Sequence, residues 1–273
     1  MKNEFSKTTF SLPEGVHSEP MEGYCDRHGK FIDIGTFMGA RLIGSPICPE
    51  CLRLEEEQKA KDFALECKRQ ELQSAAKRYE AVLDKSAIPP RYRNRTFENF
   101  ETLGDRHKQG IVNRLKAYVA NFGELRKGGN GFIISGTVGT GKTHLACAVL
   151  QALANVAPGV YTTAHDMGQK VADSWGVKER GKTTADVKSV FFNCPLLVID
   201  EVGKPNERPI TAEVLSEVIF ARYDALKPTI FVTNVAPDNL HSIFEEPELD
   251  RIRETCKGLY LDWASYRENK ELF

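Results

Sequence analysis

A glycine-rich loop at residues 136–143 constrains the fold of this chain more than any other feature. The loop has the pattern G-x-x-x-x-G-K-[ST], with an apolar strand predicted before it at 131–135 and a helix after it at 142–155. In this context backbone N–H groups and the helix dipole converge on a polyphosphate, so the segment predicts nucleoside triphosphate binding. The predicted phosphate-binding residues are Gly136, Thr137, Val138, Gly139, Thr140, Gly141, Lys142 and Thr143.

Two acids at the end of a second apolar strand complete the core of the predicted site. The strand at 195–200 ends in Asp200 and is followed by Glu201. Because ligands bind at the carboxyl ends of parallel strands, we expect Asp200 to orient a Mg²⁺ shell together with Thr143, and Lys142 to reach the β- and γ-phosphates. Glu201 would polarise an attacking water, which favours hydrolysis of ATP over a kinase reaction.

Three further polar residues are candidates for catalysis. Asn234 follows a predicted strand at 229–233, where it would bridge the γ-phosphate and the lytic water; a turn-forming asparagine is the alternative. Arg251 and Arg253 lie on a predicted helix, and each is a candidate to stabilise charge on the γ-phosphate. A solvated helical face is the alternative for this arginine pair.

Strands and helices alternate through the second half of the chain. This order predicts an α/β fold with a five-stranded parallel sheet covered by helices on both faces. The predicted strands are 131–135, 160–163, 195–200, 229–233 and 258–261, and the predicted helices are 105–126, 142–155, 165–175, 183–192 and 211–226.

Four potential metal ligands occur in two pairs near the start of the chain. Cys25 and His28 are separated by two residues, as are Cys48 and Cys51, and the segment between the pairs suits a β-hairpin or knuckle. Three thiolates and one imidazole fill a tetrahedral shell, so the pattern predicts a structural Zn²⁺ site. The odd total of seven cysteines argues against a disulfide framework.

The sequence therefore divides into three predicted regions. Residues 1–52, weakly ordered up to about residue 20, form a zinc-binding module, 53–87 contain one long charged helix, and 88–273 form the ATPase domain. The helix at 53–85 contains neither glycine nor proline, and its apolar stripe is narrow. Both a solvated helix and a helix offered to a partner protein fit this pattern.

Charge and hydropathy narrow the classes of function. The net charge is −1 and the isoelectric point about 6.6, so any contact with nucleic acid must be local. Neither an apolar leader segment nor a run long enough to span a bilayer is apparent, and we expect a cytoplasmic protein.

Taken together, these motifs resemble the DnaC-type replicative helicase loaders, AAA+ ATPases close to the DnaA initiators and the IstB-type transposition ATPases. The Cys/His pairs are similar to those of phage- or prophage-encoded relatives. The resemblance covers roughly residues 88–267. The motifs that carry it are residues 97–100, 136–144, 196–201, Thr233 with Asn234, 249–253 and 263–267.

The resemblance implies further roles for individual residues. It makes Arg251 an arginine finger that acts on ATP in the neighbouring subunit, and Arg267 a second sensor arginine at the γ-phosphate. It places single-stranded DNA binding on residues 166–182, where Trp175 would stack on a base; core packing is the alternative for this tryptophan. The basic side chains near Trp175 are Lys170, Lys178, Arg180 and Lys182.

The expected function is ATP-dependent loading of a hexameric replicative helicase onto DNA by a homo-oligomeric spiral of this protein. Since the chain ends at Phe273, soon after Arg267, we expect no C-terminal helical lid, as in DnaC-like loaders. An IstB-like ATPase that remodels DNA for a recombinase remains an alternative. So does a zinc-bearing DNA-binding adaptor that uses ATP only as a switch.

Overall fold

The computed structural model describes residues 15–44, 47–175, 183–205 and 208–266, without the side chains of Leu72, Ala75, Ala76 and Arg78. The chain divides into two compact units, Met1–Ala75 and Ala76–Phe273. Within the described part of the chain, no helix is both long enough and apolar enough to cross a membrane.

The first unit contains a small antiparallel sheet of three strands in the order β1-β2-β3. Strand β1 begins at Val16, although the polar sequence up to about residue 20 predicts weak order. The reason is continuous pairing with β2, from Val16 opposite Met38 to Cys25 opposite Gly29. The strands are β1 (Val16–Cys25), β2 (Gly29–Met38) and β3 (Arg41–Gly44).

A 37-residue helix, α1 (Pro49–Lys85), follows this sheet. It begins four residues earlier than predicted, with a proline in its first position, where a missing N–H costs nothing. It ends as predicted, because Pro89 and Pro90 forbid a further turn.

The second unit contains the predicted five-stranded sheet, in the order β5-β6-β7-β4-β8 with every neighbouring pair parallel. Residues alternate between its two faces: Ile134, Val198 and Ile230 join one apolar cluster, whereas their neighbours along each strand join the other. The strands are β4 (Gly131–Gly136), β5 (Val160–Thr163), β6 (Leu197–Val202), β7 (Thr229–Thr233) and β8 (Cys256–Leu261).

Helices cover both faces of this sheet, as the sequence predicted. Leu115 and Leu145 lie in the cluster on one face, and Met167, Val218 and Ile252 lie in the cluster on the other. The helices are α2 (Arg106–Ala120), α3 (Phe122–Leu125), α4 (Lys142–Leu153), α5 (Ala164–Asp173), α6 (Thr184–Asn193), α7 (Pro209–Asp224) and α8 (Glu246–Thr255).

Side-chain caps fix where several of these helices begin. The Asp105 carboxylate accepts hydrogen bonds from the backbone of α2, Thr163 caps α5, and Thr183 forms a capping box with Asp186 at α6. The single helix predicted at 105–126 is instead two helices, because Asn121 leaves helical geometry between α2 and α3.

Candidate functional site

The phosphate loop joins β4 to α4, and two of its glycines are required by their surroundings. Gly139 and Gly141 have φ angles of +84° and +94°, a backbone conformation that residues with a side chain rarely adopt. A Cβ at Gly139 would lie 2.0 Å from Oγ of Ser265, and one at Gly141 would lie 2.6 Å from the ring of Phe100. Any larger residue at these positions would therefore displace the loop.

Lys142 begins α4 and is buried beneath the loop. Its Nζ donates to the backbone oxygens of Gly136 at 2.9 Å and Thr137 at 2.6 Å. The Thr140 hydroxyl also donates to Thr137, at 2.9 Å. Hydrogen bonds within the loop thus fix its conformation. The loop ends at the N-terminus of α4, where the positive end of the helix dipole favours a polyphosphate.

Asp200 lies in the second half of β6, is 4% exposed and is surrounded by three hydrogen-bond donors. Tyr161 donates its hydroxyl to Oδ2 at 2.9 Å, the Glu201 amide donates to Oδ1 at 2.7 Å, and the Thr143 hydroxyl also donates to the carboxylate. Burial nevertheless raises the pKa of Asp200. A bound cation would offset the cost of burying a charged carboxylate. The oxygen atoms of Thr143 and Asp200 are therefore suitable ligands for Mg²⁺.

Glu201 lies just beyond Asp200 in an unusual backbone conformation. Its φ of +59° is in the left-handed region, and the β6–β7 pairing shifts register between Ile199 and Val202. Its carboxylate is paired with Lys204, whose Nζ lies 2.6 Å from Oε2. No sequence pattern indicates a role for Lys204 or Tyr161, because neither belongs to a local motif.

Asn234 is exposed at the carboxyl end of β7. Since β7 lies between β6 and β4, this residue follows the same edge of the sheet as Asp200 and the phosphate loop. Asn234 therefore lies at the predicted edge of the sheet.

Arg251 and Arg253 lie on α8, and their side-chain hydrogen bonds, ion pairs and ring contacts among the described residues are with α7 and α8. The Arg251 guanidinium lies over the rings of Phe220 and Tyr223, and Arg253 pairs with Glu246 at 3.3 Å. The structure therefore does not bring either arginine to the phosphate loop of its own chain. Arg267 lies outside the described residues.

A short segment after β8, residues 262–266, lies against the phosphate loop; we call it the C-terminal strap. The indole Nε1 of Trp263 donates to the Thr140 oxygen at 3.0 Å, and the Tyr266 amide donates to the Gly139 oxygen at 3.0 Å. The Tyr266 hydroxyl donates to Glu101 at 2.7 Å. Motif residues near the end of the chain are thus held directly on the loop.

The segment around Phe100 approaches the loop as well. The Phe100 ring makes edge contacts with His144 and Trp263, with centroids 5.2 and 6.3 Å apart. Nε2 of His144 donates to the Thr96 oxygen at 2.8 Å. The family-like motif at 97–100 consequently packs between the start of α4 and the C-terminal strap.

The four predicted zinc ligands converge in the first unit. Nδ1 of His28 lies 3.7, 3.4 and 3.4 Å from the Sγ atoms of Cys25, Cys48 and Cys51, and the Sγ atoms of Cys25 and Cys51 are 3.6 Å apart. All four ligand atoms lie within 4.8 Å of one another. Tetrahedral Zn–S and Zn–N bonds of about 2.3 and 2.0 Å place ligand atoms about 3.5–3.8 Å apart, so this cluster fits Zn²⁺.

The thiols of this cluster differ in acidity. Backbone N–H groups of Arg27 and His28 lower the pKa of Cys25 to about 6, whereas the hydrogen bond with Cys25 raises the pKa of Cys51 to about 11. A thiolate already favoured at Cys25 suits a metal ligand.

Trp175 follows α5 and is 59% exposed, which argues against the core-packing alternative. Lys170 is also exposed on α5. The other basic residues predicted around this tryptophan, Lys178, Arg180 and Lys182, lie outside the described residues.

A phosphate loop between β4 and α4, opposite the acidic end of β6 in a parallel sheet of this order, defines a nucleotide-binding domain with the DnaC- and DnaA-like AAA+ fold. Residues 55–272 match the family described as IstB-like ATP binding protein. The chain belongs to this family.

Individual relatives agree with this assignment. The replicative helicase loader DnaC of Escherichia coli (strain K12) is 27% identical over 200 residues, which cover 72% of this chain and 79% of that protein. The crystal structure of the DnaC helicase loader matches with a TM-score of 0.56 and 26% identity, over 63% of this chain and 99% of that one. The replication initiator DnaA bound to AMPPCP and single-stranded DNA shares the fold, with a TM-score of 0.52 and 22% identity over 65% and 52% of the two chains.

Proposed function

We propose that this protein is an ATPase that loads a replicative DNA helicase onto single-stranded DNA and hydrolyses ATP at interfaces between its own subunits. The observation that carries the proposal is the hydrogen bond between Thr143 of the phosphate loop and Asp200 of β6, with Lys142 held under the same loop, in a family described as ATP binding. The similarity to DnaC loaders, over most of the length of those proteins, supports the helicase as partner.

The chain's own residues would divide the work of binding and hydrolysis. Residues 136–143 would hold the phosphates of ATP through backbone N–H groups, and Lys142 would exchange its loop oxygens for the β- and γ-phosphates. Thr143 and Asp200 would hold Mg²⁺, which neutralises charge on the phosphates when it is bound. Glu201 would accept a hydrogen bond from the attacking water, and Asn234 would orient that water.

Two arginines are proposed to complete the ATP site, one from a neighbouring subunit and one from the same subunit. Arg251 does not contact its own phosphate loop among the described residues, which supports a role at the ATP of a neighbouring subunit. Arg267, which directly follows the C-terminal strap, is proposed to reach the γ-phosphate of its own subunit. Assembly would thus be needed for hydrolysis, and the protein would form a homo-oligomer on DNA.

We propose that the helicase binds to the two N-terminal regions, residues 1–52 and 53–87. A zinc-stabilised sheet and a long charged helix offer an exposed surface, with Phe63 and Leu65 each at least 70% exposed. The exposed ring of Trp175 is proposed to stack on a base of single-stranded DNA, with Lys170 near enough to meet the phosphates.

The test combines a hydrolysis assay with a pull-down by a purified hexameric replicative helicase. ATP hydrolysis should be stimulated by single-stranded DNA and fall at least about a hundredfold in Glu201→Gln, the usual loss when a general base is removed. Helicase binding should survive Glu201→Gln and fail in the full-length Cys48→Ser variant. Equal hydrolysis by wild type and Glu201→Gln would refute the role of that residue.

An ATPase that remodels DNA for a recombinase is the second candidate, favoured by the IstB-like family match. The phosphate loop and acidic strand serve both functions equally. A parallel pull-down with a transposase separates them: capture of the transposase and not of the helicase would replace the loader proposal.

A further inference from the structure

We infer that Phe220 and Tyr223 are positioning residues for Arg251 and hold its guanidinium ready for ATP bound to a neighbouring subunit. We call this pair of rings the aromatic shelf. The inference rests on the proposed function, because it assumes that Arg251 acts across a subunit interface.

The aromatic shelf is formed by one face of α7. Phe220 and Tyr223 are three residues apart, so their side chains lie on the same side of the helix. The Tyr223 hydroxyl donates to Glu254 at 2.5 Å, which ties the shelf to α8, the helix that carries Arg251. The arginine and its support are thus linked through both helices.

The Arg251 guanidinium is held by three contacts. Its Cζ lies 4.6 Å from the ring centroid of Phe220 and 5.3 Å from that of Tyr223, both within the range of cation–π attraction. Its Nη1 donates to the Pro247 oxygen at 2.9 Å. A long, flexible side chain fixed in this way loses little further freedom when it meets a phosphate.

The other two nitrogen atoms of the Arg251 guanidinium, Nε and Nη2, are candidates to bind a ligand. Its Nε is buried without a hydrogen-bond partner, beside a cavity of about 20 Å³ lined by Arg251, Arg222, Tyr223 and Lys227, enough for one water. Nη2 makes no hydrogen bond within the described parts of the chain. Nη2 of Arg251 is therefore still able to donate a hydrogen bond to an anion, and no carboxylate of the described residues forms an ion pair with the guanidinium.

Arg253 provides the contrast on the same helix. Its side chain is 63% exposed and its Nη1 is already paired with Glu246 at 3.3 Å. Arg253 must give up its carboxylate partner before it can meet a phosphate, whereas Arg251 is held in place and forms no ion pair among the described residues. The geometry therefore favours Arg251 over Arg253 as the arginine finger, and the aromatic shelf is the reason.

The first test measures steady-state ATP hydrolysis by full-length variants with Mg²⁺ and single-stranded DNA. Phe220→Leu and Tyr223→Leu should each lower kcat about two- to thirtyfold, the effect of losing one cation–π contact, with KM for ATP unchanged. Phe220→Tyr keeps an aromatic face and should retain wild-type kcat, whereas Tyr223→Phe keeps the face but loses the hydrogen bond to Glu254, so its kcat should fall less than that of Tyr223→Leu. A loss of packing alone would show as a lower melting temperature, which is measured for every variant.

The second test asks whether the defect is corrected by another subunit. Phe220→Leu has an intact phosphate loop, and Lys142→Ala has an intact shelf but cannot bind ATP. Mixed together, they should hydrolyse ATP faster than the sum of the two alone, because Lys142→Ala subunits supply a positioned Arg251. Mixing Phe220→Leu with Arg251→Ala provides the matched control, since neither offers such an arginine, and should restore nothing.

The outcomes separate this inference from the function on which it rests. Wild-type protein without ATPase activity would overturn both. A strong defect in Arg251→Ala with wild-type kcat in Phe220→Leu and Tyr223→Leu would overturn the aromatic shelf and leave the loader proposal standing. Failure of the Lys142→Ala mixture to restore activity would also overturn it, because the shelf would then act within its own subunit.

Discussion

The Nζ atom of Lys204 lies 2.6 Å from Oε2 of Glu201, three residues after the acid proposed to polarise the attacking water. An ammonium at this distance competes with water for the carboxylate oxygen and holds it away from other partners. Both side chains are 40–50% exposed, so the pair is worth at most about 1 kcal/mol. The contact is a weak restraint on the proposed base.

Removal of this restraint should raise basal hydrolysis. We expect Lys204→Met to increase the ATPase rate without DNA by up to about fivefold, the equivalent of about 1 kcal/mol. Lys188→Met, which breaks the ion pair of Lys188 with Glu217 on α7, serves as the control and should leave the rate unchanged. A lower rate in Lys204→Met would mean that the lysine orients Glu201 for catalysis instead.

The zinc prediction is tested by the metal content of the purified protein. Wild type should contain about one zinc ion per chain, and Cys48→Ser should contain close to none, because three ligands no longer close the shell. Cys67→Ser is the matched control, since Cys67 lies on α1 and outside the ligand cluster. Equal zinc content in Cys48→Ser and wild type would contradict the assignment.

Arg222 should contribute substantially to the stability of the fold. It is 1% exposed and donates to the oxygens of Phe191, Cys194 and Pro228 and to the Thr229 hydroxyl. Arg222→Leu would leave these buried acceptors unpaired, and we expect the free energy of unfolding to fall by about 2–4 kcal/mol. In urea unfolding, the exposed Arg114→Leu should change it by less than about 0.5 kcal/mol; similar values for both variants would refute this role.

Burial of His144 predicts a pH dependence of stability. Desolvation lowers the pKa of this imidazole below its usual 6.5, so between the two pKa values the unfolded chain binds more protons than the folded one. The stability contributed by neutral His144 is complete above pH 6.5 and is lost as the pH falls through the lower, folded-state pKa. The melting temperature should therefore drop between pH 7 and 5 less steeply in His144→Gln than in wild type.

The matched control is the exposed His165→Gln, which should keep the wild-type slope. Parallel slopes for His144→Gln and wild type would show that other groups determine the acid sensitivity.

The sequence predicted what depends on neighbours along the chain, and missed what depends on distant contacts. The phosphate loop and the two acids of β6 were identifiable because each follows an apolar run directly along the chain. The C-terminal strap was recognised only as a motif, since Trp263 meets Thr140 across 123 positions and Tyr266 meets Glu101 across 165. No periodicity connects such pairs.

Two other features were missed because they depend on how separate elements pack together. Arg222 lies on α7 among apolar residues, and a charged side chain there suggests a solvated position; only the convergence of α6 and β7 supplies enough carbonyl groups to bury it. The left-handed φ of Glu201 comes from the irregular β6–β7 pairing, which residue types alone do not reveal.

The last prediction uses Trp263 as a reporter of nucleotide binding. The chain has only two tryptophans, and Trp263 donates to the Thr140 oxygen within the phosphate loop. In a Trp175→Phe background, addition of Mg²⁺-ADP should change the emission of Trp263, because loop residues must reorient their backbone toward phosphate. Lys142→Ala in the same background should show no change at any ADP concentration.

Trp263→Leu should weaken ADP binding by about two- to tenfold in calorimetry, the effect of one hydrogen bond of about 0.5–1.5 kcal/mol. Undiminished affinity in Trp263→Leu would show that the C-terminal strap rests on the loop without supporting it.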